Sequence, residues 1–129
     1  MSPSHILRHV TIVIVEDHPD TQAFLSDFLI RQGARVFAAG DATKGLEAIQ
    51  QHHPDVVLSD IGLPERSGFE LLKAIRLLDS EDRSTPVIAM TALGGIVERQ
   101  KAIVAGFQEL LRKPFAPDEL LRALQSVLR

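Results

Sequence analysis

Five polar or charged residues stand where short apolar runs end: Glu16-Asp17, Asp60, Thr91 and Lys113. Glu16 and Asp17 follow Thr11-Ile12-Val13-Ile14-Val15, and Asp60 follows Val56-Val57-Leu58-Ser59. Thr91 follows Pro86-Val87-Ile88-Ala89-Met90, and Lys113 closes the run from Phe107 to Arg112. Three carboxylates in one hollow cannot all stay ionised without compensation. A hard divalent cation with oxygen ligands supplies it, and Mg²⁺ takes one or two carboxylates and completes its shell with waters and phosphate oxygens. A lysine adds a point charge that pairs with phosphate. A carboxylate nucleophile, a metal, a cation and a hydroxyl are the parts of phosphoryl transfer to an aspartate.

These residues meet only if the elements carrying them lie side by side. The β-branched first run suits a strand buried on both faces. Pro19 and Asp20 open a helix with Ala23, Phe24, Phe28 and Leu29 on its apolar face, ended by Gly33. Ala34 to Ala39 is a second strand. Asp41 caps the helix that follows, with Leu46 and Ile49 inward and His52-His53-Pro54 beyond its end. Val56-Val57-Leu58 forms the third strand, followed by a loop marked by Gly62, Pro64 and Gly68. Ser67 and Glu70 fit a capping box for a helix containing Phe69, Leu72, Ile75 and Leu78. Asp79 to Thr85 reads as a loop before the fourth strand. Gly94-Gly95 precede a helix from about Ile96 to Ala105, and Pro117, Asp118 and Glu119 open a last helix. Five strands alternating with five helices imply a parallel sheet covered on both faces, an α/β doubly wound (βα)5 fold. In such sheets ligands bind beyond the carboxyl ends of the strands. In the flavodoxin-like order 2-1-3-4-5, strands one and three are neighbours, which brings Glu16, Asp17 and Asp60 together.

Composition excludes several other readings. The 129 residues suit one domain, and 45% hydrophobic with 24% charged residues is ordinary globular composition. With no cysteine there is no disulfide framework, thiolate zinc site or Cys nucleophile. A net charge of −3, without a basic run, argues against nucleic-acid binding. No apolar run approaches a membrane span, and Met1 to Val10 lacks the features of a signal peptide. A soluble cytoplasmic protein is the expectation.

The blocks Val13-Ile14-Val15-Glu16-Asp17, Ser59-Asp60-Ile61-Gly62-Leu63-Pro64 through Gly68, Met90-Thr91-Ala92 and Arg112-Lys113-Pro114-Phe115 resemble the response-regulator receiver family. Each block alone is weak. All four, in order and at strand ends, are specific. The resemblance covers Val10 to Arg129 and implies a receiver domain over 10–129 after a leader over 1–9. It implies that Asp60 accepts the phosphoryl group, that Asp17 binds Mg²⁺ (or Mn²⁺) directly and Glu16 mostly through water, and that the Gly62 carbonyl is a further ligand. Thr91 would hydrogen-bond a phosphoryl oxygen and Lys113 would pair with the group. The Lys113-Pro114 bond would be cis. The phosphodonor would be a histidine kinase or phosphotransfer protein, and the output a changed surface for a downstream protein.

Some positions depart from the family's pattern. Many receivers carry Tyr or Phe three residues before the lysine, where this chain has Leu110. Read-out through loop and helix-four rearrangement, without an aromatic rotamer change, is therefore expected. Arg112 replaces an often apolar residue, and with Arg99 and Arg122 it marks either a partner surface or a solvated face, the latter being the simpler reading. Gly62 and Leu93 occupy the positions that influence acyl-phosphate hydrolysis and cannot orient water, so slow self-dephosphorylation is expected. The five histidines suggest no metal site, and His18 reads as a solvated residue at the pocket rim.

Other functions fit less well. A Mg²⁺ phosphatase would want an acid two residues after its nucleophile, where Gly62 stands. A flavin binder would want a phosphate-cradling loop in place of Glu16-Asp17-His18-Pro19. A receiver-like interaction module without phosphorylation leaves Asp60, Thr91 and Lys113 unexplained. A stand-alone phosphoacceptor, not an enzyme, is the leading expectation, with a receiver excised from a hybrid kinase as an alternative.

Overall fold

The computed structural model describes residues 6–92 and 96–128. Leu93, Gly94 and Gly95 lie outside the described residues.

The central strand shows why the sheet sits where it does. In β1 (Thr11–Val15), Ile12, Val13, Ile14 and Val15 are fully buried, so neither face meets water. β2 (Arg35–Ala39) and β3 (Val56–Asp60) pair with it on either side, and β4 (Val87–Thr91) and β5 (Glu109–Arg112) continue the sheet beyond β3. All pairings are parallel, in the order β2-β1-β3-β4-β5. Every residue of β3 and β4 is buried, whereas edge strand β2 exposes Arg35 and Ala38.

Five helices link the strands: α1 (Pro19–Arg31), α2 (Ala42–His52), α3 (Gly68–Arg76), α4 (Ile96–Ala105) and α5 (Pro117–Val127). They divide the core into two layers. Ile12, Ile14, Leu58, Ile88 and Met90 pack on one side with α1 and α5 residues Leu25, Leu29, Leu120 and Leu124. Val13, Val15, Val57, Val87 and Ala89 pack on the other with Ile49, Leu71, Leu72, Ile75 and Ala102. Leu7 joins the first layer, and its N–H donates to the carbonyl of Gln32 at 2.9 Å.

Local signals account for most boundaries. The Asp41 side chain accepts from Lys44 N at 2.8 Å, an N-cap bond for α2. Gly33 adopts φ +100° after α1, a conformation that favours glycine. The Ser67 hydroxyl accepts from Glu70 N at 3.3 Å, but the Glu70 carboxylate lies 3.7 Å from Arg66 Nε, so the capping box is half built.

The apolar face of α1 differs from the sequence expectation. Leu25 and Leu29 are buried with Phe28 beside them, while Ala23 and Phe24 are exposed. A Leu25–Leu29 pair, one helical turn apart, faces the sheet squarely, and this rotates Phe24 outward. The loop from Asp79 to Thr85 contains a short 3₁₀ turn, Glu81–Ser84, whose buried Asp82 lies 2.8 Å from His53 Nδ1. β5 begins at Glu109, two residues later than expected, with Phe107 buried ahead of it.

Candidate functional site

β1, β3, β4 and β5 all end at one edge of the sheet, and their last or next residues meet there. The β1 ladder extends one step past Val15, because Glu16 N–H donates to Ala39 O at 3.0 Å. That step turns the Glu16 side chain into the protein, where it is wholly buried. The Gln22 amide donates to Glu16 O at 2.9 Å and ties this end to the first turn of α1. Asp60 is the last residue of β3 and is almost fully buried. Its Oδ1 accepts from Gly62 N at 3.1 Å, and its carbonyl accepts from the buried Ser59 hydroxyl at 3.0 Å.

Gly68 lets α3 approach that strand end. A β-carbon there would sit 2.5 Å from Asp60 O and 2.9 Å from Ile61 Cα, and Gly68 N–H donates to Ile61 O at 2.8 Å. Thr91 ends β4 and is buried, and its carbonyl accepts from Lys113 N at 2.7 Å. This bond carries Lys113 past the end of β5, and the Lys113-Pro114 peptide is cis.

The Lys113 ammonium bridges two carboxylates, at 2.5 Å from Glu16 Oε1 and 3.2 Å from Asp60 Oδ2. Burial would lower its pKa, but the hydrogen bonds to Glu16 and Asp60 and their charges outweigh that and raise it. Glu16, Asp17, His18 and Asp60 each offer one ligand atom, all within 4.8 Å of one another. His18 Nδ1 lies 3.1 Å from Glu16 Oε2 and 3.4 Å from Asp17 Oδ1. The Glu16 hydrogen bond, followed by the charges of Asp17 and Glu16, raises the His18 pKa above 6.5.

The Asp17 carboxylate provides a direct test of metal fit. Its Oδ1 is enclosed yet has no hydrogen-bond partner. Buried polar atoms are nearly always satisfied, and a carboxylate oxygen in an acidic hollow is well satisfied by a cation. The donor set is oxygen-rich and anionic, which suits a hard divalent ion. The structure thus brings together Glu16, Asp17, Asp60 and Lys113, and places Thr91 and Gly62 on the adjoining strand end and loop. The sequence suggests a solvated position at the rim for His18. It is 70% exposed, yet its Nδ1 turns inward among the acids. Its position directly after the acid pair was the only available signal.

Comparisons with known proteins agree with this architecture. The model of the response regulator receiver domain matches residues 12–125. The chain therefore belongs to the receiver-domain family of two-component response regulators, which are signalling modules rather than conventional enzymes. An uncharacterized 14.6 kDa protein of Leptolyngbya boryana is 37% identical, over 92% of this chain and 90% of its own length. The probable transcriptional regulatory protein TcrX of Mycobacterium tuberculosis is 32% identical over 93% of this chain. The match covers only 50% of TcrX, so this chain spans about half of that larger relative. Among solved structures, the chemotaxis response regulator CheY4 of Vibrio cholerae superposes with a TM-score of 0.85 at 32% identity, covering 92% of this chain and 98% of that one. Among the described residues, no helix is long and apolar enough to cross a membrane.

Proposed function

We propose that the chain is a phosphoacceptor receiver that takes a phosphoryl group onto Asp60, over a domain spanning 10–129 that follows a short leader, 1–9. The observation that carries this reading is the charge arrangement. Two buried carboxylates, Glu16 and Asp60, share one ammonium, while Asp17 Oδ1 beside them has no hydrogen-bond partner. Asp17 and Asp60 would hold Mg²⁺ (or Mn²⁺) directly, with the Gly62 carbonyl, and Glu16 mostly through water. Bound there, the ion would offset the charge of the carboxylates and of the incoming phosphoryl oxygens.

In the transfer, a carboxylate oxygen of Asp60 attacks the phosphorus of a phosphohistidine. An oxygen–phosphorus bond forms, the phosphorus–nitrogen bond breaks, and the imidazole leaves. The Gly62 N–H orients the nucleophile through Oδ1. Lys113, already 3.2 Å from Asp60, pairs with the transferred group, and the Thr91 hydroxyl donates to one of its oxygens. The donor is a histidine kinase or phosphotransfer protein in the cytoplasm. A hollow of about 450 Å³ beside Lys113, lined by Thr21, Phe24, Leu25, Ala92, Pro114 and Phe115, offers it an apolar approach. The output is a changed surface for a downstream protein. Leu110, half-buried against the layer containing Phe69 and Phe107, responds without an aromatic swing.

Incubation with Mg²⁺ and acetyl phosphate, followed by intact mass, tests the reading. A single phosphate adduct that Asp60→Ala lacks is expected. No adduct on the unaltered protein would favour an interaction module that works without phosphorylation.

A further inference from the structure

The four-residue cluster at the sheet edge contains one member that a magnesium site does not need. His18 is the N-cap residue of α1, yet its side chain makes no capping bond. Its Nδ1 instead faces Glu16 Oε2 at 3.1 Å and Asp17 Oδ1 at 3.4 Å. A hydrogen bond to Glu16 explains the first distance. It leaves Asp17 Oδ1 enclosed and without a donor.

One ion would account for both. Nitrogen and oxygen donors lie about 2.0–2.2 Å from Zn²⁺, so neighbouring ligands on one ion of that size are roughly 2.9–3.5 Å apart. The two separations fall within that span, so His18 Nδ1 stands from Glu16 Oε2 and from Asp17 Oδ1 as adjacent ligands of one ion do, and Glu16, Asp17 and His18 offer ligand atoms within 4.8 Å of one another. Imidazole nitrogen is a preferred ligand of zinc, nickel, copper and iron, whereas magnesium takes oxygen.

We propose that His18 makes this pocket a mixed nitrogen–oxygen site for borderline divalent transition ions, in addition to the hard-ion site described above. The proposal rests on the acidic pocket being a metal site at all, and His18 adds a second selectivity to it. An ion held by His18, Glu16 and Asp17 shares Glu16 and Asp17 with the magnesium site described above. Transition-ion occupancy and Mg²⁺ occupancy therefore compete for the same acids.

The test is calorimetric titration of the full chain with Mg²⁺ and separately with Ni²⁺, on the unaltered protein, His18→Ala, His18→Gln and Asp17→Asn. His18 is largely exposed and caps nothing through its side chain, so both His18 variants should keep their urea midpoint. Loss of a ligand should weaken Ni²⁺ binding about tenfold or more, because loss of a ligand's mere partner often costs that much. Mg²⁺ affinity of the His18 variants should stay within about twofold, since Mg²⁺ uses oxygen ligands. Asp17→Asn should weaken both ions, which separates this site from Ni²⁺ held at the adjacent His52 and His53. With Co²⁺ as probe, the visible absorption of the bound ion should change in His18→Ala.

Equal losses for Ni²⁺ and Mg²⁺, or no change for Ni²⁺, would overturn the role of His18. A protein that binds Ni²⁺ through His18 but ignores Mg²⁺ would uphold this inference and defeat the magnesium reading. Mg²⁺ binding alongside Ni²⁺ binding indifferent to His18 would do the reverse.

Discussion

Replacing Lys113 with Met should expose the electrostatic cost of the pocket. The ammonium lies between Glu16, wholly buried, and Asp60, nearly so. Without it the two carboxylates face one another within 4.8 Å. At an effective dielectric constant of about 20, that repulsion is about 3.5 kcal/mol. Water entering beside the partly exposed position lowers it, and a proton taken up by the pocket relieves it as pH falls. A loss of about 2–4 kcal/mol at pH 7, smaller at pH 5, is expected. Lys113 does not itself cause this pH dependence. Its pKa is raised, so its stabilisation is complete below 10.5 and lost only as pH rises through the higher folded value. Mg²⁺ at about a hundred times its dissociation constant should restore about 2.7 kcal/mol to the variant. Urea unfolding at the two pH values, with and without Mg²⁺, measures each quantity. A loss that is the same at both pH values and indifferent to Mg²⁺ would refute the reasoning, since lost packing alone would behave that way.

Three further substitutions or measurements probe the supports of the site. Gly68→Ala should destabilise by about 1–3 kcal/mol although alanine favours helices, because the new methyl meets the Asp60 carbonyl at 2.5 Å; an unchanged or higher urea midpoint would count against that close approach. Arg76→Ala should cost about 1–3 kcal/mol, since Arg76 Nη1 donates to Arg83 O at 2.9 Å and Thr85 O at 2.7 Å and so fixes the entry to β4; chemical denaturation beside Arg76→Lys, which lacks the planar fork, would show whether geometry or charge matters. Phosphorylated protein should lose its label slowly, because Gly62 has no side chain to orient water; decay within seconds in a radiolabel time course would reject this.

The sheet was legible because its signal is local and redundant. Each central strand is a run of β-branched or aliphatic residues buried on both faces, so length and composition suffice without knowledge of pairing. The strand order added only adjacency, and adjacency alone brings Glu16 and Asp60 together. α1 was less legible because two apolar stripes compete there. Phe24 and Phe28 suggest one face, Leu25 and Leu29 another, and packing against the sheet selects the leucines. The exposed Phe24 then lines the hollow beside Lys113.

What the sequence could not reveal is which atom of each site residue meets which partner. The contact between Lys113 and Glu16 joins residues 97 positions apart, and that between His53 and Asp82 joins residues 29 apart. No periodicity encodes such contacts. Residue type told that Lys113 could balance a negative charge; it did not tell that Glu16, and not only Asp60, is balanced by it. That difference matters chemically. On the proposed reading, a lysine held by two carboxylates would loosen its bond to Glu16 to follow a phosphoryl group. A cation bound to Glu16, through His18 or otherwise, would weaken that bond and favour the move. A metal bound in the pocket would thus be coupled to the lysine through Glu16 as well as through Asp60, and Glu16→Gln should weaken the coupling. In that variant Mg²⁺ affinity should become less sensitive to the Lys113→Met change, which a double-mutant titration would measure. Persistence of the full coupling without the Glu16 charge would show that it runs through Asp60 instead.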